Sequence, residues 1–300
     1  MKTMFVINPV SGKGKGRKPY KIIQHIRSEY KKAGKSFEIR IWDRPDRIGE
    51  IIQEAIDGDF IAVVAAGGDG TINEIGKRLI GTGVALGVIP MGSGNGFARH
   101  LGYSRSYKRA ISQILGAELV NVDSGDFGGV PFINNAGIGI DAEVIERFSR
   151  SKSRGMHTYV RLASRAILNF KTFDCTLVVD GKREYKWDRL LLIDIANGTQ
   201  WGGGAEVSPL SDIQDGWLEA VVLEKTSIIK VPRLVRLLFQ GKLYRHPNIK
   251  IVRGKTFEII RGSSGNAHVD GETVVLGSTI HATIKESSVM LLVPDKMEAV

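Results

Sequence analysis

Cysteine is almost absent from this chain. Its 300 residues include one, Cys175, which excludes an intramolecular disulfide framework and a cluster of thiolate metal ligands. The neighbouring residues Phe173, Leu177 and Val179 indicate a strand, so we expect Cys175 to be a structural thiol rather than a nucleophile.

Long apolar runs are also missing. The longest, such as Val84–Ile89 and Leu190–Ile193, are far too short to span a bilayer. The first residues, Met1–Met4, lead directly into a predicted strand, without the apolar core and cleavage site of a signal peptide. We therefore expect a soluble, cytoplasmic protein.

Aromatic residues are scarce, whereas positive charge is abundant. Aromatic residues make up 7% of the chain, and neither a zinc-finger spacing nor an aromatic ribonucleoprotein motif is present. The formal net charge is +10, which favours an anionic partner. Together these observations argue against nucleic acid and favour phosphorylated small molecules or an anionic membrane surface.

The first third of the chain alternates predicted strands with predicted helices. This pattern indicates βαβ units and a mostly parallel sheet, in which ligands bind outside the carboxyl ends of the strands. After about residue 120, short strands predominate and indicate an antiparallel β domain. Three glycine-rich loops lie at strand ends in the first part, so we expect one crevice lined by Asn8–Gly16, Gly67–Thr71 and Met91–Gly96.

The stretch Gly67–Glu74 is the most informative of these loops. It follows the apolar run Ile61–Ala66 and precedes a predicted helix, for which Thr71 is the expected N-cap and Glu74 completes a capping box. The glycines let backbone N–H groups approach an anion, and the helix N-terminus adds the positive end of its dipole. Asp69 is placed to orient a metal-bound water or a substrate hydroxyl. The stretch therefore predicts a phosphate-handling site.

The other two loops are weaker signals when taken singly. Asn8–Gly16 carries small residues and two lysines, which fit a basic surface turn and a phosphate site equally well. It is not a Walker A loop, because no GxxxxGK[ST] pattern runs through it. Pro90–Arg99 offers glycines with hydroxyl and amide donors. Three such loops at strand ends form a strong pattern.

Together these loops resemble those of the diacylglycerol kinase catalytic family, which comprises bacterial lipid kinases and their sphingosine and ceramide kinase relatives. The match consists of an NPxSGKG loop, a GGDGTxNE loop and a GSGN(x)FAR loop, in that order. Farther along, Pro209–Leu218 resembles the metal-binding turn of the family, and His268–Glu272 resembles its late catalytic DGE motif. The resemblance thus covers nearly the whole chain.

The resemblance implies two domains with the active site in the cleft between them. The first is a doubly wound α/β nucleotide-binding domain with a mostly parallel sheet, and we place it at residues 1–125 with a C-terminal return near 289–300. The second is a predominantly antiparallel β-sandwich domain that binds lipid and metal, and we place it at residues 126–288.

The resemblance also implies the ligand contacts. Mg²⁺ would be held by Asp212, Asp215 and the carbonyl of Trp217, a set of oxygen ligands that suits this ion. Considered without the family, Asp215-Gly216 is simply a hairpin turn. The residues that would bind ATP are Asn8, Pro9, Val10, Ser11, Gly12, Lys13, Gly67, Gly68, Asp69, Gly70, Thr71, Ile72, Asn73 and Ser93.

Two acids compete for the role of the base that accepts the proton of the lipid hydroxyl. Phosphoryl transfer requires an oriented nucleophile, and either Glu272 or Asp270 would supply that orientation. The sequence leaves the choice open, with a narrow preference for Glu272. Asp69 is the third catalytic candidate, first as an organiser of metal or phosphate and only second as a base.

The implied activity is that of an ATP- and Mg²⁺-dependent lipid kinase with a place in phospholipid biosynthesis. The acceptor stays open among diacylglycerol, a sphingoid base and ceramide, because Gly94-Asn95-Gly96 is closer to the sphingosine and ceramide kinases. An NAD kinase-like enzyme shares the Gly67–Thr71 loop, although Asp270–Glu272 fits lipid kinases better. A non-catalytic nucleotide- or anionic-lipid-binding protein is the third alternative, and the retention of every acidic site position argues against it.

Two basic helical stretches bear on the membrane. Arg147–Lys171 and Ile228–Arg245 interleave basic with apolar residues. Each stretch either lies on an anionic bilayer or faces the core with a solvated basic side. We expect a cytoplasmic enzyme that associates peripherally with an anionic membrane surface to reach its lipid substrate, and the sequence leaves a homodimer open.

Overall fold

The computed structural model divides into two compact units. The first unit comprises Met1–Val122 and Ser287–Val300, and the second comprises Asp123–Glu286. The predicted contacts Gly12, Lys13 and Ser93, and most of a helix predicted at 141–148, lie outside the described residues. The structure describes residues 2–11, 17–92, 95–140, 142, 156–202 and 204–294.

The first unit is built on a parallel sheet whose strands alternate with helices. Its elements are β1 (Lys2–Ile7), α1 (Arg17–Lys32), β2 (Phe37–Ile41), α2 (Arg47–Asp57), β3 (Phe60–Gly67), α3 (Asp69–Leu79), β4 (Ala85–Pro90), α4 (Gly96–His100) and α5 (Tyr107–Leu115). The strand order is β2-β1-β3-β4, and every neighbouring pair is parallel. The predicted α/β domain with a parallel core sheet is confirmed.

Apolar composition explains why these strands occupy the centre of the first unit. Ala62–Ala66 of β3 have no exposed surface, as expected for a central parallel strand that is covered on both faces. The helices that cover the sheet are amphipathic. In α2, Ile48, Ile51, Ile52 and Ala55 are buried at helical spacing, and the other side of the helix faces solvent. The sheet is therefore held by apolar burial, which leaves the polar loops at its carboxyl edge.

The second unit is predominantly antiparallel. Its first elements are β5 (Glu118–Phe127), β6 (Val130–Phe132), β7 (Asn135–Gly139), α6 (Met156–Asn169), β8 (Phe173–Val179), β9 (Arg183–Ala196), β10 (Gln200–Gly202) and β11 (Ala205–Glu206). The later elements are β12 (Leu218–Glu224), α7 (Val231–Phe239), β13 (Ile249–Gly254), β14 (Thr256–Arg261), β15 (Gly265–Val269), β16 (Glu272–Leu276) and β17 (Thr279–Val293). The chain passes between the two units within β5 and again within β17.

The strands of the second unit enclose one apolar core and carry helices over another. Along the path β16-β15-β7-β9-β8-β14-β17, every neighbouring pair is antiparallel. Phe132, Leu177 and Phe257 lie in the larger core. Ala166 of α6 and Leu234 of α7 lie in the smaller one. The predicted β-sandwich is confirmed.

Helix α7 directs its apolar side toward the protein. Leu234 is buried, and Leu238 packs against the smaller core. Arg233 and Arg236 are exposed on the other side. In the part of the chain that the structure describes, no helix is long and apolar enough to cross a membrane.

Gly139, at the end of β7, is a position where only glycine fits. Its φ is +120°, and a Cβ there would overlap the carbonyl of Leu191 and lie 2.7 Å from Cα of Leu192. We expect Gly139→Ala to destabilise the second unit by about 4 kcal/mol. In a thermal melt, the midpoint should fall by roughly 8–16 °C. Gly181→Ala is the matched control, because Gly181 also has a positive φ, +64°, but has open space around it. An equal fall for both variants would contradict this account.

Candidate active site

Asn8 ties the loop after β1 to the second loop. Its backbone N–H donates to the carbonyl of Ala66 at the end of β3, at 3.1 Å. Its side-chain Oδ1 accepts the N–H of Val10 at 3.1 Å, and its Nδ2 donates to Oγ1 of Thr71 at 3.0 Å. Oγ of Ser11 lies 3.4 Å from the same threonine hydroxyl. The first two glycine-rich loops therefore meet at Thr71.

Thr71 does not cap helix α3, so the predicted capping box is wrong. The helix begins at Asp69 with Gly68 at the N-cap position, and no side chain caps it. The chain turns so tightly at Gly67 that a Cβ there would overlap the side chain of Thr71. Because the N-cap lies three residues earlier than predicted, the hydroxyl of Thr71 contacts Asn8 instead of capping the helix.

Asp69 joins the second loop to the third. Its Oδ2 accepts the N–H of Asn95 at 2.8 Å, and its Oδ1 accepts the N–H of Gly96 at 3.0 Å. Asn95 has a φ of +45°, and its Nδ2 donates back to the carbonyl of Gly67 at 3.1 Å. Both loops are thus held in a fixed arrangement by one carboxylate and one amide.

Two opposing effects act on the Asp69 carboxylate. Its residue is exposed overall, but the carboxylate itself faces the third loop. Loss of water on that side raises the pKa of Asp69, and the hydrogen bonds from Asn95 and Gly96 lower it less than burial raises it. Because both oxygens accept backbone amides, the arrangement suits an organiser of the loops.

The three loops converge at the N-terminus of α3 and leave a surface with little side-chain bulk. Gly70 is exposed, and a Cβ there would meet nothing within 4 Å. Ile72 is 1% exposed, so its side chain adds no bulk to this surface. A helix N-terminus beside small residues is a general anion-binding arrangement. The first unit can therefore hold phosphate groups at this edge.

Asp270 is committed to the protein backbone. It occupies the turn between β15 and β16 with a φ of +49° and is 7% exposed. Its Oδ2 accepts the N–H of Ile133 at 2.9 Å, and its Oδ1 accepts those of Asn134 and Asn135 at 2.9 and 3.1 Å. Its own N–H donates to the carbonyl of Asn135 at 2.8 Å. The carboxylate therefore shapes the turn between the two strands.

Glu272, in contrast, lies on the outside of the same turn. It is the first residue of β16, it pairs with Val269 of β15, and it is exposed. Of the two acids in the DGE motif, Glu272 has the accessible carboxylate and Asp270 has the buried one.

The turn at residues 209–217 brings acidic side chains together. Oδ1 of Asp212 accepts the N–H of Gln214, and Oδ1 of Asp215 accepts that of Trp217, each at 3.0 Å. Asp215 also pairs with Arg253. Partial burial raises the pKa of Asp215, the Arg253 guanidinium opposes the rise, and the carboxylates of Asp212 and Asp123 add to it. The carboxylates of Asp123, Asp212 and Asp215 therefore give this turn a local excess of negative charge.

The ligand types in this turn fit a hydrated Mg²⁺. Among the residues that the structure describes, no group of three histidine, cysteine, aspartate or glutamate side chains is arranged to hold a metal ion. Mg²⁺, however, commonly uses one or two carboxylates and retains several waters. Asp212 and Asp215 would supply the carboxylates, and the Trp217 carbonyl would be a further oxygen. For all three of these oxygens to bind the ion, the ion pair between Asp215 and Arg253 would have to open.

A buried connection between the turn at residues 209–217 and the DGE turn was not predicted from the sequence. Asn197 has no exposed surface, and its Nδ2 donates to the carbonyls of Asp123 and Ile133 at 2.9 and 2.7 Å. Its N–H donates to the carbonyl of Asn134 at 2.9 Å. Asp123, in turn, accepts the N–H of Gly216 at 2.8 Å. The available signal was the Asn197-Gly198 pair directly after the apolar run of β9.

Two family models match the chain. The diacylglycerol kinase catalytic domain matches residues 2–127. The YegS C-terminal NAD kinase β-sandwich-like domain matches residues 134–289. The two models together cover both units.

Several curated proteins are similar to the chain. A protein of Chromohalobacter salexigens named "Probable lipid kinase YegS-like" is 32% identical over 214 residues, which are 68% of this chain and 68% of that protein. A diacylglycerol kinase of Staphylococcus saprophyticus is 26% identical over 274 residues, which are 89% of this chain and 87% of that protein.

A crystal structure of a diacylglycerol kinase from Bacillus anthracis has the same fold. It superimposes with a TM-score of 0.74 over 98% of this chain and 97% of that chain, at 19% sequence identity. At this identity the likeness concerns the fold alone.

The hydrogen bonds between Asp69 and the third loop should protect two backbone amides from hydrogen exchange. We expect Asp69→Asn to speed hydrogen exchange of the Asn95 and Gly96 amides by roughly tenfold or more, because a neutral amide accepts more weakly than a carboxylate. Exchange followed by NMR or mass spectrometry measures this. Asp57→Asn is the control, since exposed Asp57 contacts Gln53 within α2. Unchanged exchange at both amides in Asp69→Asn would contradict the assignment.

Proposed function

The chain belongs to the diacylglycerol kinase family of lipid kinases, and we propose that it transfers the γ-phosphate of ATP to a hydroxyl group of diacylglycerol. The observation that carries this proposal is the different environment of the two acids in the DGE motif. Asp270 is bound by three backbone amides, and Glu272 is left accessible on the same turn. Diacylglycerol is the acceptor that the names of several relatives give for those proteins.

The three loops of the first unit would bind the nucleotide. Their convergence at the N-terminus of α3 supports this role, because backbone amides and the helix dipole stabilise phosphate charge. Asn8 and Thr71 hold the first two loops together, and Asp69 orders the third. The proposed ATP contacts are Asn8–Ser11 and Gly67–Asn73, with Gly12, Lys13 and Ser93 beside them in the sequence.

Glu272 would act as the general base. A side-chain oxygen of Glu272 accepts the proton of the lipid hydroxyl while the hydroxyl oxygen forms its bond to the γ-phosphorus. The bond from that phosphorus to the oxygen bridging to the β-phosphate breaks, and ADP leaves with the electron pair. Asp270 would take no proton, because its oxygens hold the turn in shape.

Asp212, Asp215 and the Trp217 carbonyl would hold Mg²⁺. When bound, the ion supplies positive charge that neutralises phosphate oxygens during transfer. Within the protein, Asp215 would exchange its ion pair with Arg253 for the bound ion. Asp123 keeps the turn in place through its hydrogen bond to the N–H of Gly216.

An NAD kinase-like activity is the second candidate. The β-sandwich model that matches residues 134–289 is described as NAD kinase-like, which connects the second unit to that class of enzyme. The catalytic-domain model, however, matches residues 2–127 as diacylglycerol kinase. NAD and the lipids ceramide and sphingosine are therefore the comparison substrates for any assay of this protein.

Peripheral association with an anionic membrane surface also belongs to the proposal. The chain carries a net charge of +10, and an anionic bilayer attracts such a surface. Arg233 and Arg236 of α7 are exposed, and Ile229, just before this helix, is 85% exposed. Because the apolar side of α7 packs against the core, the cationic side and Ile229 would make the contact.

The role of Glu272 is tested by Glu272→Gln. We expect kcat for phosphorylation of diacylglycerol in vesicles to fall by about 10²–10⁴-fold, because the amide accepts no proton. Binding of ATP should be unchanged, since its proposed contacts are in the first unit. Transfer of labelled γ-phosphate measures the activity, and Glu184→Gln, at an exposed glutamate near the Asp180-Gly181 turn, is the control.

Two results would contradict the proposal. One is full lipid kinase activity in Glu272→Gln. The other is phosphorylation of NAD by the wild-type protein with no label on diacylglycerol, sphingosine or ceramide, which would favour the NAD kinase-like alternative.

The membrane contact is tested by removing two charges from α7. We expect Arg233→Gln with Arg236→Gln to weaken sedimentation with phosphatidylserine vesicles roughly 25-fold, because each basic residue near the surface contributes about 1 kcal/mol. Lys21→Gln with Arg27→Gln on α1 removes the same charge from the first unit and is the control. Equal weakening by both pairs would show that net charge alone governs binding and would refute a specific contact at α7.

A further inference from the structure

A buried polar cluster lies in the second unit, next in sequence to the DGE turn. Asp194 of β9 has no exposed surface and His268 of β15 is 1% exposed, yet Oδ1 of Asp194 and Nε2 of His268 are 3.3 Å apart. The same Oδ1 accepts hydrogen bonds from Nδ2 of Asn135 at 3.3 Å and from Nε1 of Trp201 at 3.0 Å. We refer to Asp194, His268, Asn135 and Trp201 as the Asp194 cluster.

The strand register explains how Asp194 and His268 meet. Both residues pair with Gly137 of β7, His268 from one side and Asp194 from the other. Paired residues on neighbouring strands project from the same face of a sheet. Because the middle residue is a glycine, no side chain stands between the carboxylate and the imidazole.

The cluster is costly for the stability of a sandwich core. Burial of a carboxylate requires that its lost hydration be replaced by hydrogen bonds or charge pairing. In Asp194, Oδ1 accepts hydrogen bonds from Asn135 and Trp201 and lies 3.3 Å from Nε2 of His268. Apolar side chains would fill the same space without that requirement. A role beyond stability is therefore a reasonable expectation for this cluster.

Asn135 connects the cluster to the DGE turn. Its side chain donates to Asp194, whereas its backbone bonds to Asp270 in both directions. His268 lies on β15, two residues before Asp270. The cluster thus holds both strands, β7 and β15, at the point where Asp270 fixes the turn that carries Glu272.

We propose that Asp194 and His268 are positioning residues, which act through Asn135 and Asp270 to hold Glu272 in the orientation that proton transfer requires. Neither residue contacts a reacting group. This inference rests on the proposed function of Glu272 as the base. Small misplacements of a catalytic group reduce rate steeply, so a buried, hydrogen-bonded support has a measurable effect on kcat.

The test compares Asp194→Asn with wild type in the full chain, with diacylglycerol vesicles and labelled ATP. We expect kcat to fall by about 10- to 100-fold, as for other residues that orient a functional group through a hydrogen bond. KM for ATP should change by less than about twofold, since the proposed nucleotide contacts are in the first unit. The melting temperature is recorded for each variant.

Asp180→Asn is the matched control. Asp180 also occupies an Asp-Gly turn with a positive φ, +53°, and its Oδ1 accepts the N–H groups of Lys255 and Thr256. This turn joins β8 to β9 and has no link to the Asp194 cluster among the described hydrogen bonds. We expect Asp180→Asn to lower the melting temperature and to leave kcat unchanged.

A further variant keeps the inference testable if Asp194→Asn does not fold. Trp201→Phe removes one donor to Asp194 and keeps an aromatic ring, and we expect kcat to fall by roughly 3- to 10-fold. We expect the double variant His268→Gln with Asp194→Asn to lower kcat no further than the more impaired of the two single variants, because residues of one network act as a unit.

The inference is overturned if Asp194→Asn and Trp201→Phe lower the melting temperature but keep wild-type kcat, since the cluster would then be only structural. Glu272→Gln in the same assay separates this failure from failure of the proposed function. If Glu272→Gln is inactive while Asp194→Asn is fully active, only the positioning role is wrong. If Glu272→Gln is fully active, both are wrong.

Discussion

The Asp270 carboxylate accepts hydrogen bonds from three backbone amides. The proposed catalytic part of the second unit depends on these bonds. Ile133, Asn134 and Asn135 would leave three N–H groups unpaired where β6 gives way to β7, and one side chain satisfies all of them. The left-handed backbone of Asp270 then turns the chain into β16 and leaves Glu272 accessible. Because the Asp270 carboxylate anchors this turn, the proposed role of the base falls to Glu272.

Both halves of the molecule use the same principle, in which an acidic side chain fixes the backbone of a functional loop. Asp69 does so for the third loop of the first unit, as Asp270 does for the DGE turn. Asp123 does so for the turn at residues 209–217 through Gly216. A hydrogen bond to a carboxylate is stronger than one between neutral groups, so these anchors hold short loops that lack regular secondary structure.

The sequence predicted the fold well where apolar burial determines it. The central parallel strands of the first unit, β3 and β4, are apolar along their length, so the parallel sheet was foreseen. Strand β15, Gly265–Val269, was missed because its glycine, asparagine and histidine do not form an alternating apolar pattern. The cap at Thr71 was predicted wrongly, because the Thr71 hydroxyl accepts a hydrogen bond from the distant residue Asn8, a tertiary contact that local spacing does not encode. Glu272 was preferred over Asp270 only narrowly, since accessibility depends on the distant residues 133–135. The site assignment as a whole remains a prediction.

The central claim is that the carboxylate of Glu272, and not that of Asp270, accepts the proton of the lipid hydroxyl. Chemical rescue tests it most directly, because a small carboxylate from solution can replace a missing base at an accessible position. We predict that acetate restores phosphate transfer to diacylglycerol in Glu272→Ala, by about tenfold or more over the variant without acetate. We predict that acetate has no such effect on Asp270→Ala, in which the turn itself has lost its support. Rescue of Asp270→Ala, with none of Glu272→Ala, would contradict the account.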